Sequence, residues 1–136
     1  EDFLRLKQRS VEEGVNINFV GFAECPMTYL KNADLYLSTS RFEGLPYALI
    51  EAASVGLPIV ATDVVGNNEV VRHDYNGFLF KTEQEAVDAI KTLLINADLL
   101  NKYSINSREL YLKSFVIEKM VSSIVDTYTQ VLNHKH

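Results

Sequence analysis

Four short apolar runs set between helical patterns constrain this chain more than any other feature. They are Ile17-Asn18-Phe19-Val20, Asp34 to Ser38, Pro58 to Thr62 and Gly77-Phe78-Leu79-Phe80. Strands that alternate with helices at this spacing need crossover connections, which predicts an α/β fold with a parallel sheet and helices on both faces. The runs are rich in Val, Ile, Leu and Phe, as strands buried on both sides should be. In such sheets ligands bind outside the carboxyl ends of the strands. Two loops, Arg41–Pro46 and Asp63–Asn68, should therefore open on one edge.

The helical patterns have recognisable ends. Residues 2–13 read as a helix stopped by Gly14. Pro26 opens a second helix through about Asn32. Pro46 suits the first turn of a third, which runs to Val55 and ends at Gly56. Gly66–Arg72 reads as a short helical turn. From Glu83 the pattern is helical to the end, with breaks near Asn96–Asp98 and Lys113–Phe115. Phe115, Met120, Ile124, Tyr128 and Val131 lie roughly on one face of the last segment.

The stretch Ser40-Arg41-Phe42-Glu43-Gly44-Leu45-Pro46 joins a strand to a helix that carries Glu51. A helix start exposes unpaired N–H groups and the positive end of a dipole, and so suits a phosphate. Carboxylates beside it can accept hydrogen bonds from sugar hydroxyls. Glu51 reads either as a ribose ligand or as an ordinary exposed helix acid. Glu43 reads either as a ligand for a transferred sugar or as an acid that complements the dipole. Gly44 permits close backbone approach, and the Gly44 and Leu45 amides can point at the same ligand. Arg41, the one basic residue of this loop, pairs with a phosphate or with Glu43. In the second loop, Asp63 or Asn67 is expected to cap the short helix.

Other chemistries find no support. A net charge of −5 and a pI near 5.1 argue against a nucleic-acid-binding domain. Neither G-x-x-x-x-G-K-[ST] nor G-x-G-x-x-G occurs, so a P-loop or a standard dinucleotide site is not expected. Cys25 has no partner for an internal disulfide and reads as a buried or half-buried bystander; with no Asn-x-Ser/Thr site, this suits a reducing, cytoplasmic setting. His73 is isolated, and His134 and His136 close the chain. No cluster has metal-ligand spacing, so no metal site and no cofactor are expected. No apolar run approaches the roughly 18 residues that span a membrane. A length of 136 residues suits one domain. Because the chain begins at Glu1 inside a helical pattern, it is expected to be part of a longer protein.

The residues Ser40-Arg-Phe-Glu43-Gly-Leu-Pro46, followed by Leu49-Ile-Glu51-Ala-Ala-Ser-Val-Gly-Leu-Pro58-Ile-Val-Ala-Thr, resemble the donor-binding signature of retaining glycosyltransferases of the "glycosyl transferases group 1" family. Val20-Gly21, Asn32-Ala-Asp34, Gly66-Asn-Asn-Glu69-Val-Val and Asn76-Gly77-Phe-Leu-Phe are similar to other parts of that family, in order. Phe115–Leu132 is similar to its closing helix. The resemblance implies a Rossmann-like sheet and most of the C-terminal, nucleotide-sugar-binding domain of a two-domain GT-B enzyme. It implies that Glu51 holds the donor ribose and that Glu43 is catalytic, near the donor sugar. Gly44, Leu45, Pro46 and its neighbours, and Arg41 would bind the rest of a UDP-, GDP- or ADP-sugar. Transfer would retain the anomeric configuration without a metal.

Two departures carry expectations. The basic pair with which the family grips the diphosphate has no counterpart in residues 1–40. The upstream part of this domain and the acceptor-binding N-terminal domain would be absent, leaving the isolated chain inactive. With a family sheet ordered 3-2-1-4-5-6, the four runs would correspond to strands 3, 4, 5 and 6. The first two would then close directly on each other, or the open edge would promote self-association. The longer protein would work in the cytoplasm or at the inner face of the membrane, in polysaccharide biosynthesis. The rival reading is a non-catalytic nucleotide-sugar-binding or interaction module of similar fold.

Overall fold

The computed structural model describes residues 2–133; His134 and His136 lie outside them. The order is α1 (Asp2–Glu12), α2 (Pro26–Leu30), β1 (Tyr36–Ser38), α3 (Tyr47–Ser54), β2 (Ile59–Thr62), α4 (Asn67–Val70), β3 (Gly77–Phe80), α5 (Glu83–Ile95), α6 (Ala97–Ser114) and α7 (Ile117–Asn133). All three strands are parallel, in the order β1-β2-β3. Tyr36 pairs with Ile59, and Ile59 with Gly77.

The central strand explains the two-faced core. Along β2, side chains alternate across the sheet. Ile59 and Ala61 pack on one face with Leu49, Ala52 and Ala53 of α3 and with Val70 and Val71. Val60 packs on the other with Phe80, Leu93 of α5 and Tyr103 of α6. Helix α6 serves both faces, because its far end brings Tyr111 to the first cluster. Ala52 and Ala53 are small enough to let α3 lie close to the sheet. Gly77 has a stricter role: a Cβ there would overlap the Ile59 carbonyl of the neighbouring strand.

Thr82 accepts the Glu85 amide at 3.2 Å, and Glu85 accepts the Thr82 amide in return, forming a capping box that starts α5. Asn96 starts α6 by accepting the Leu99 amide at 3.0 Å. These two residues and Phe115, the C-cap of α6, set the helix breaks where the sequence pattern changes.

Several expectations are corrected. Residues 17–20 are not a strand but an unpaired stretch. It lies over α1, with Phe19 edge-on to Phe3 at 5.6 Å. No strand lies beside the outer edge of β1 among the described residues, so Ile17–Val20 has no ladder to join, and the expected direct closure does not occur. Pro46 stands just outside α3, at its N-cap, rather than in its first turn. Gly66, not Asp63 or Asn67, is the N-cap of α4, with φ 93°. Cys25 is exposed rather than buried.

Candidate functional site

The expected site residues meet at the carboxyl end of β1 and the start of α3. Pro46 is buried there, and its carbonyl accepts the Leu49 and Ile50 amides at 3.0 and 3.2 Å. The Tyr47 and Ala48 amides, first in the helix, have no intrahelical acceptor. Glu43 is half-buried in the preceding loop; Glu51 is exposed one turn into α3. Gly44, Leu45 and Arg41 are exposed. Among the described residues Arg41 makes no ion pair with Glu43.

Tyr36 on β1 connects the two acids electrostatically. Its phenol is held above the usual tyrosine value, first by burial, then by the negative charges of Glu51 and Glu43. Sequence reasoning treated Tyr36 only as part of a strand, although a tyrosine within an apolar strand beside this loop was a visible signal.

A second set of residues fixes the loop from the β2 side. The Thr62 hydroxyl donates to the Ser40 carbonyl. Asn67 Nδ2 donates to the Thr62 carbonyl at 3.0 Å and to its hydroxyl at 3.2 Å. Asn67 is buried, and its Oδ1 is an acceptor without a partner. Gly66 presses on the loop itself. A Cβ there would lie 2.5 Å from the Gly44 carbonyl oxygen and 2.8 Å from that of Glu43. Gly44 differs: a Cβ on it would meet nothing within 4 Å. The protein's own packing does not require glycine at that position, where the backbone borders open space.

Asp63 does not cap α4; its carboxylate holds Lys81 Nζ at 3.3 Å. Asn76 is buried and structural. Its Oδ1 accepts the Arg72 amide at 2.7 Å and its Nδ2 donates to the Val70 carbonyl at 3.1 Å, pinning the return to β3. No group of three or more His, Cys, Asp or Glu residues forms a metal site among the described residues. No helix among them is long and apolar enough to cross a membrane.

A parallel sheet sandwiched by helices, with acids at its carboxyl edge, defines a Rossmann-like domain. Residues 1–110 match the family described as "Glycosyl transferases group 1", and the chain belongs to that family.

Relatives agree with this placement. Over 109 residues the chain is 34% identical to the UDP-Gal:alpha-D-GlcNAc-diphosphoundecaprenol alpha-1,3-galactosyltransferase of Escherichia coli, covering 78% of this chain and 28% of that protein. It is 32% identical over 124 residues to an uncharacterized glycosyltransferase of Haemophilus influenzae, covering 89% and 35%. Anabaena Alr3699/HepE, solved in complex with UDP-glucose, superposes with a TM-score of 0.84 at 25% identity, covering 94% of this chain and 36% of that one. The C-terminal domain of the group 1 protein LpcC from Francisella tularensis superposes with a TM-score of 0.73 at 25% identity, covering 85% and 64%. The chain thus spans about a third of the length of the curated relatives it matches.

Proposed function

We propose that this chain is the donor-binding part of a retaining glycosyltransferase and forms most of its C-terminal domain. The observation that carries the reading is the placement of Glu43 in the loop that enters α3 and of Glu51 one turn into that helix, at the carboxyl edge of a group 1 sheet. Glu51 accepts the ribose hydroxyls of the donor. Glu43 is the catalytic carboxylate closest to the transferred sugar and accepts hydrogen bonds from its hydroxyls. The amides of Gly44, Leu45 and the residues after Pro46 face the sugar and diphosphate.

In the transfer, the bond between the anomeric carbon and the donor phosphate breaks, and its electrons leave with the diphosphate. A bond to an acceptor hydroxyl forms on the same face, and that hydroxyl's proton passes to the oxygen of the departing diphosphate. Preorganised amides and charge stabilise the leaving oxygen, which is electrostatic catalysis. The donor class is a UDP-sugar, supported by the UDP-glucose complex of HepE and by the Escherichia coli relative's name. That name also gives an acceptor that carries a sugar on a lipid diphosphate, and we extend this acceptor class to the longer protein. The acceptor binds chiefly to a domain outside these residues, at the cytoplasmic face of a membrane. The isolated chain is inactive in transfer.

Calorimetric titration with UDP, GDP and ADP tests the reading, with Glu51→Ala alongside. The expected result is binding of UDP that weakens by about tenfold or more when the ribose ligand is lost. Equal affinity of wild type and variant would defeat it.

A further inference from the structure

A cavity of about 340 Å³ opens at the carboxyl ends of all three strands. It is lined by Ser40 and Arg41 after β1, Thr62, Asp63 and Val64 around the end of β2, and Phe80 and Lys81 around the end of β3. None of Glu43, Gly44, Leu45 or Glu51 reaches it. Gly66 packs against the Glu43 and Gly44 carbonyls, so the two loops touch at that point. The cavity is thus beside the proposed donor site, not a continuation of it.

Its chemistry is cationic in an acidic chain. Lys and Arg total 13 against 18 Asp and Glu, yet two cations and one acid line this space. Arg41 has no ion-pair partner among the described residues. Asp63 holds Lys81 at 3.3 Å, fixing the ammonium at the cavity while using only part of its donor capacity. A planar guanidinium and an ammonium across one small cavity suit phosphate oxygens.

We propose that this cavity is an anion subsite that takes a phosphate or diphosphate group of the sugar acceptor. Its position carries the assignment. The cavity starts at Arg41, two residues from Glu43, so an acceptor anchored there keeps a hydroxyl beside the proposed transfer point. The inference rests on the transferase reading for its acceptor, but the anion site itself does not.

The test titrates the 136-residue chain with inorganic pyrophosphate and, separately, with UDP, following backbone amide resonances. Lys81→Gln is the informative variant, because Lys81 is exposed and its ion pair is of the surface kind that contributes little to folding. Pyrophosphate is expected to shift the amides of Arg41, Asp63, Val64 and Lys81. Its affinity is expected to fall about tenfold in Lys81→Gln, the effect of losing one charge-assisted hydrogen bond, while UDP affinity stays within about twofold. UDP is not expected to displace it. Shifts at Gly44, Leu45 and Tyr47 instead, or displacement by UDP, would mean that pyrophosphate occupies the donor's diphosphate position, and the proposal would fall. Absence of pyrophosphate binding, or binding unchanged by Lys81→Gln, would overturn it as well. Pyrophosphate binding at the cavity without any UDP binding would sink the donor reading and the acceptor assignment, leaving the anion site alone.

Discussion

Gly66 faces the carbonyl oxygen of Gly44 so closely that a single added methyl would stand 2.5 Å from it. The two loops at the sheet's carboxyl edge are therefore one mechanical unit. Gly66 also adopts φ 93°, a conformation that side chains resist.

Gly66→Ala is expected to lower stability by about 1–3 kcal/mol and to weaken UDP binding, because both the strain and the overlap fall on the Glu43 loop. Gly44→Ala should separate the two effects. Its Cβ meets open space, so urea unfolding should change by less than about 1 kcal/mol. UDP affinity should still fall, because the methyl enters the space proposed for the donor. A large stability loss in Gly44→Ala with unchanged UDP affinity would contradict this division.

Thr62→Val removes the hydroxyl that ties β2 to the Ser40 carbonyl and leaves Asn67 Nδ2 with one acceptor instead of two. A loss of about 1–3 kcal/mol in unfolding free energy is expected, the range for leaving buried polar groups unmatched. Thr62→Ser keeps the hydroxyl and should restore UDP affinity to near the wild-type value. Equal behaviour of Val and Ser in calorimetry would show that the hydroxyl does not position the loop.

Glu51→Gln is expected to bring the Tyr36 phenol down toward the ordinary tyrosine value, since one of the charges that raises it disappears. A group raised in the folded state contributes stability fully below its unfolded pKa of about 10 and loses it as pH rises through the folded value. Alkaline unfolding should therefore be less steep in Glu51→Gln. Phenolate absorbance, referenced to Tyr36→Phe, reads the titration directly; an unmoved midpoint would separate Glu51 from Tyr36.

Glu85 shows the opposite sign. Its carboxyl is lowered by the amide hydrogen bonds of Lys81 and Thr82, then by the charges of Lys81 and His73. This contribution is present above the ordinary carboxylate range and is lost as pH falls through the depressed folded value. Glu85→Gln should flatten the acid limb of stability against pH, measured by thermal unfolding. An acid limb identical to that of the wild type would count against the capping box.

Much of the fold was legible because its signals are local. The run Gly77-Phe78-Leu79-Phe80 matches β3 residue for residue, and Asn96 divides α5 from α6 as the pattern suggested. Ile17–Val20 misled because a strand is defined by its neighbour, and composition does not reveal whether a partner edge lies beside it. The site was legible as a list of residues but not as an arrangement. Glu43, Glu51 and Pro46 stand out in sequence, whereas the contact of Gly66 with Gly44 and the bond from Thr62 to Ser40 join residues 22 positions apart. Asn67 looked like a cap because asparagine is a favoured N-cap residue. Its amide instead turns inward to Thr62.

Helix α6 has a consequence for how the molecule comes into being. Each strand pairs with the next one in sequence, so the sheet can extend in the order in which a ribosome delivers it. Yet Tyr103 seals one face, Tyr111 packs on the other, and Arg108 reaches back to the Ser54 carbonyl. A nascent chain that has finished β3 thus has β1–β3 paired and α3 on one face, while the other face stays open. Both faces are closed only when α6 is present, so the element that completes the core is one of the last in the sequence.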